Sequence, residues 1–114
     1  MYETTVISTE VEPLPIGFTG VTVRVLHNGD GDGGLVVLTK MAPGAVIPEH
    51  WHSQADETVY VLEGEFVEGG FTYGPGTFFL GKAGAPHGPH TSRTGCTVLM
   101  HYSTSADLDF NAVD

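Results

Sequence analysis

Basic side chains are the scarcest chemistry in this 114-residue sequence: four Lys and Arg stand against fourteen Asp and Glu, a formal net charge of −10 with His neutral. A nucleic-acid partner requires a basic stripe to displace counterions from phosphates, and Arg24, Lys40, Lys82 and Arg93 are too few and too scattered to form one. Cysteine occurs once, at Cys96, so an internal disulfide is excluded. No apolar run approaches the roughly 20 residues that a membrane-spanning helix needs. The opening MYETTVISTE has neither the basic nor the apolar stretch of a signal peptide. Together these scarcities predict a protein in a reducing, cytoplasmic setting, with neither nucleic acid nor membrane as partner. Sustained helical periodicity and solenoid-length repeats are also missing, so little helix is expected.

What is present is a rhythm of turns. Sixteen Gly and seven Pro separate short runs rich in Val, Thr, Phe and Tyr, which predicts an all-β fold in a single domain. Val21, Val23 and Val25 alternate with Thr22 and Arg24 in a strand over 21–27 with one face on a core. The loop NGDGDGG at 28–34 has Asp and Gly spacing like a calcium loop, but Gly34 and Leu35 occupy its later ligand positions and no bidentate Glu closes it. Further strands are expected at 35–41, 50–52, 57–62, 77–80 and 97–102. Gly69-Gly70 between 65–68 and 71–73 signals a hairpin with a primed turn. The last dozen residues are polar and acidic and are expected to be peripheral.

One constellation carries chemistry. His50-Trp51-His52 on a strand points both imidazoles to one face, because side chains alternate with a period of two. Glu57 follows after a short SQAD linker, and His87 arrives just after a Gly84-Ala85-Pro86 bend. Three imidazoles and a carboxylate suit a divalent transition metal, whereas calcium and magnesium prefer all-oxygen shells.

GAVIPEHWHSQADETVYVLEG, from Gly44 to Gly64, resembles the first sequence motif of the cupins, with Gly44, His50, His52, Glu57 and Gly64 at its fixed positions. The second cupin motif is similar to the stretch from Gly76 onward, with Gly84 and His87 in place, although Lys82 replaces its usual Pro and Thr91 its closing Asn. The resemblance implies a jelly-roll β-barrel that holds one divalent metal through His50, His52, Glu57 and His87, and often a homodimer. Its implied divisions are an N-terminal arm or added strand at 1–20, the barrel at 21–103 and a tail at 104–114. The segment from Gly76 to Ser103 is also similar to small cupins related to diketone-cleaving dioxygenases and to the cupin half of zinc-binding anti-sigma factors.

Three functions remain in play. A non-haem iron(II) dioxygenase would act on a small oxygen-chelating diketone, enediol or phenol, with Glu57 as ligand or general base; zinc, nickel or manganese would fit the same donors. A non-catalytic module would use the metal to sense a ligand or to stabilise a partner-binding domain. An isomerase or lyase of a sugar or organic acid would need only a base beside the metal. The pocket is expected to be lined by Val37, Val59, Val61, Phe79 and Met100, with Lys82 and Arg93 as the nearest cations for its mouth. His90 is expected on a water-facing loop, His27 and His101 in structural roles, Trp51 pointing outward, and Cys96 buried and inert. The β-prone Thr4–Val11 segment is a candidate added strand in a dimer.

Overall fold

Strand-forming runs only become a fold when their apolar faces meet, and here they meet across two antiparallel sheets. The computed structural model describes residues 1–29 and 33–105 and the backbone of 111–112. The larger sheet has the order β1 (Leu14–Pro15), β2 (Val21–Gly29), β3 (Gly34–Met41), β11 (Cys96–Tyr102), β6 (Glu57–Gly64) and β9 (Phe78–Gly81). The smaller runs β4 (Val46–Ile47), β10 (His90–Thr91), β7 (Phe66–Glu68) and β8 (Phe71–Tyr73). A two-stranded piece joins β5 (His50–Trp51) to β12 (Asn111–Ala112). All pairings are antiparallel, and the described residues contain no α-helix beyond a 3-10 turn at Ser8–Glu10.

Period-two alternation builds the core. Along β11 Cys96, Val98, Met100 and Tyr102 are buried while the residues between them are not. In register beside them, Val61 and Val59 of β6 and Thr39 and Val37 of β3 point the same way. Ile47 and Phe66 from the smaller sheet, with Ala45 just before β4, complete this cluster, so one core joins both sheets. Gly69 and Gly70 both have positive φ, as a primed two-residue turn demands, and the expected hairpin forms with Glu68 opposite Phe71. At Gly64 a Cβ would strike the carbonyl oxygen of Gly95, which explains why this motif position excludes a side chain.

Three expectations need correction. The loop at 28–34 is shorter, since β2 runs through Gly29 and β3 begins at Gly34; the Asp and Gly at 30–32 lie outside the described residues. Thr4–Ile7 forms no strand; β1 supplies the added pairing instead, with Leu14 opposite Val23. Proline is admissible there because β1 is an edge strand, and the arm is further tethered by Arg24 Nε donating to Val11 O at 3.0 Å. The tail is not wholly peripheral: the backbone of Asn111–Ala112 pairs with Trp51 and His50. Strand pairing uses main-chain groups, so a polar composition does not forbid it. The rest of that expectation, 106–110 and 113–114, lies outside the described residues.

Candidate metal centre

The cluster is assembled by backbone pairing before any side chain acts. His50 and His87 face each other through two main-chain hydrogen bonds, His50 N to His87 O at 3.0 Å and His87 N to His50 O at 2.9 Å. Gly84 N donates to His52 O at 2.7 Å, so the Gly84–His87 bend is stitched along the strand that carries the His pair. Glu57 opens β6 directly opposite Tyr102 on β11 and Gly81 on β9. Its neighbour Asp56 accepts from Ala83 N through Oδ1 at 2.9 Å and donates its own amide N–H to Ser103 Oγ at 2.9 Å, fixing the start of β6 against the bend.

These elements bring one donor atom each from His50, His52, Glu57 and His87 to within 4.8 Å of one another. His50, His52 and Glu57 are buried, and His87 closes the exposed side. His87 Nε2 lies 3.0 Å from both His50 Nε2 and Glu57 Oε2, and His52 Nε2 lies 3.6 Å from Glu57 Oε2. His50 Nδ1 faces Pro48 O at 2.7 Å, so that nitrogen donates its proton outward and Nε2 turns its lone pair inward. Burial, reinforced by His87 and His90, pushes the His50 imidazole down to about 4, which keeps it neutral near pH 7. Burial pulls the other way on Glu57 and His87, but their mutual hydrogen bond and opposite charge outweigh it: Glu57 is held below the usual carboxylate range and His87 above the usual imidazole range. Donors crowded this closely away from water need protons or a cation between them, and the mixed nitrogen and oxygen set can hold a metal ion.

A cavity of about 230 Å³ opens on this cluster, with Ile16, Val23, Val25 and Val37 as apolar walls beside His50 and His52. Tyr102 closes it; burial and the Glu57 charge push its hydroxyl well above the ordinary value, so it stays a neutral phenol. A second cavity of about 400 Å³ lies on the His87 side, lined by Val59, Phe79, Lys82 and Glu68 among others. The expected lining is thus split: Val37 and Met100 face the first cavity and Val59 and Phe79 the second, while Val61 is packed into the core and lines neither. Arg93 is engaged with Glu65 at 3.1 Å. Lys82 is 3.6 Å from Asp56 and lies on the second cavity.

His90 overturns its expectation of a water-facing loop. It lies on β10, is buried, and holds Glu68 at 2.5 Å through Nδ1, with its ring centroid 5.6 Å from both His50 and His87. The sequence reading missed Glu68, Asp56 and Tyr102; only the register of β10 against β7, His90 opposite Glu68, makes the first of them a site residue. His101 Nε2 bonds Gly33 O at 2.7 Å, as a structural role requires, and Trp51 is half-buried between the two buried histidines. Cys96 is buried, and desolvation raises its thiol.

Two antiparallel sheets closing over three histidines and a carboxylate are the arrangement of a cupin. Within that class the chain belongs to the ChrR cupin-like domains, whose family profile matches residues 2–106. No curated protein sequence matches it significantly. Among solved structures it is similar to the polyketide cyclase RemF from Streptomyces resistomycificus, at 24% identity and TM-score 0.79 over 99% of this chain and 87% of that one. It is similar to an acetylacetone dioxygenase from Acinetobacter johnsonii at 18% identity and TM-score 0.69, over 88% and 72% of the two chains. The anti-sigma ChrR in complex with SigE, from Rhodobacter sphaeroides, is similar at 22% identity and TM-score 0.66 over 82% of this chain, which spans about half (49%) of that one. Identities this low speak to the fold alone.

Proposed function

We propose that the chain is a metal-dependent cupin that binds a small, largely apolar molecule bearing oxygen atoms, and that it acts on that molecule as an iron(II) dioxygenase. The observation that carries this reading is the apolar cavity opening on His50, His52 and Glu57: a purely structural metal site has no need of a ligand-sized chamber against its donors. His50, His52 and His87 would hold the metal, with Glu57 as fourth ligand or as the base that takes a proton from the substrate. When bound, iron(II) would supply Lewis acidity and redox access to dioxygen, both of whose atoms enter the cleaved diketone, enediol or phenol. The protein's own contribution is to keep His50 neutral, hold Glu57 ionised, and exclude water with Val23, Val25 and Val37. The test is to strip the protein, reload it anaerobically with iron(II) or with zinc, and measure dioxygen uptake with a small diketone and a phenolic ketone. Uptake with iron alone is expected, since zinc has no redox chemistry; no uptake with either substrate sinks the dioxygenase.

Membership among ChrR cupin-like domains favours a second reading, a metal-stabilised module that binds another protein. In that case zinc raises the melting temperature, by mass action on the native state, and nothing is turned over.

We also infer a homodimer in a cytoplasmic setting, with residues 21–103 as the barrel and 1–20 as an arm. Among the described residues no helix is long and apolar enough to cross a membrane. On the outer face of the larger sheet Leu38, Leu99, Tyr60 and Phe78 stand side by side across four strands, and Tyr60, Leu62, Phe78 and Leu80 are exposed. An apolar band of this kind suits a second copy of the chain. Light scattering at micromolar concentration should report twice the monomer mass, and a monomer would rule the dimer out.

A further inference from the structure

The two cavities meet at one side chain outside the four-residue cluster. His90 lines both, yet is only 4% exposed. Its ring is packed against Phe66 at 5.0 Å between centroids and against His50 and His87, which leaves it little room to swing. Glu68 fixes its orientation through Nδ1 and is itself fixed, because Gly88 N donates to Glu68 Oε1 at 2.9 Å. One carboxylate therefore ties His90 to the bend that carries His87. A carboxylate facing Nδ1 requires the proton on that nitrogen, so the neutral ring presents a lone pair at Nε2. Nε2 is buried and has no hydrogen-bond partner among the described residues. A buried polar atom of this kind costs free energy unless something supplies a partner.

We propose that His90 is the specificity-determining residue of this site: its Nε2 accepts a hydrogen bond from a hydroxyl of the bound molecule, while a neighbouring oxygen of the same molecule faces the His50–His52–Glu57–His87 cluster. The arrangement selects phenols and enols that carry a free hydroxyl beside a second oxygen, and disfavours their ethers. With the rings of His50 and His90 only 5.6 Å apart, oxygens on adjacent carbons can address both. The proposal rests on reading the cluster as a metal site and narrows the class of ligand it takes. Glu68 acts through His90, as a positioning residue.

Catechol and veratrole, its dimethyl ether, which has no hydroxyl left to donate, are the probes. Calorimetric titration of the full chain, zinc-loaded and metal-free, should show catechol preferred by about tenfold, the equivalent of one hydrogen bond. In metal-free His90→Phe, which keeps an aromatic ring, that preference should vanish while veratrole affinity and, on loading, zinc stoichiometry stay as in the wild type. Glu68→Gln leaves Nε2 in place but loosens its aim, and should retain only part of the preference. The inference is overturned by an unchanged preference in whichever variants fold, by equal loss of both probes, or by wild-type protein that binds neither probe or both equally. Failure of the wild type to take up zinc overturns the metal reading instead, and the metal-free titrations still decide the role of His90.

Discussion

Strands β6 and β11 run the length of the barrel side by side, and their two ends do different work. At one end Val61 and Val98, with Met41 of β3 beyond them, fill the interior completely. At the other, Glu57 and Tyr102 occupy the equivalent inward positions, the histidines converge, and a cavity remains. The alternation is the same throughout; only the residue types change. One end is packed for stability and the other leaves polar groups for a ligand to satisfy, so damage to each should register in a different measurement.

The largest expected effect is on the polar end. His50→Ala together with His87→Ala should abolish uptake of one metal equivalent per chain, because two of four donors disappear, while the metal-free variant remains folded. Elemental analysis after loading checks this, and stoichiometric metal in the double variant would contradict the site. Glu57→Gln should weaken metal binding by at least about tenfold, the scale on which even outer partners of ligands matter, without eliminating it.

At the dry end the effect is on stability alone. Met41→Ala should cost about 2–5 kcal/mol in urea unfolding, since Met41 is fully buried between Val21 and Cys96 and the void cannot collapse easily. Metal stoichiometry should stay at wild-type level. Loss of metal along with stability would mean that the two ends are one cooperative unit.

Much of the contrast is legible in the sequence, for reasons that can be named. HxH on a strand, Glu57 after a short linker and His87 after a Gly-Pro bend are local patterns, and strand parity alone aims the first two imidazoles together. His90, Glu68 and the Asn111–Ala112 pairing were not legible. Each depends on which strand lies beside which, a long-range register that a two-residue strand such as β10 or β12 does not announce in its composition. Thr4–Ile7 misled for the converse reason: β propensity expresses fit to a pleated, half-buried surface, and these residues find none in this chain.

Acidity should also separate the ends. The buried side chains of the dry end carry no charge in this range, whereas His50 takes its proton only near pH 4 in the folded protein against 6.5 ordinarily. Between those values the unfolded chain binds more protons than the folded one, so His50 makes metal-free stability fall as pH drops through this window. The lowered Glu57 adds a fall in the same direction at lower pH, while the raised His87 has the opposite sign and weakens stability as pH rises above 6.5. Urea unfolding of metal-free His50→Phe should show a shallower decline between pH 6.5 and 4 than the wild type; an equal slope would show that other groups dominate.

The smallest expected effect sharpens the comparison at the bend beside Glu57, where one carboxylate makes two kinds of contact. Asp56 pairs with Lys82 at 3.6 Å, but the Lys82 side chain is 71% exposed, and a solvated pair of this kind contributes little to stability. Lys82→Ala should therefore barely change stability. Asp56 Oδ1 also accepts from the main-chain N–H of Ala83, a bond that holds the turn leading to His87. Asp56→Ala removes both contacts and leaves that amide to water, so it should cost somewhat more stability than Lys82→Ala. The decisive measurement is metal affinity. If the bond from the Ala83 amide to the Asp56 carboxylate positions the bend, Asp56→Ala weakens metal binding and Lys82→Ala does not; equal effects would mean that charge beside the second cavity, and not the anchoring of the bend, governs how His87 meets the other three donors.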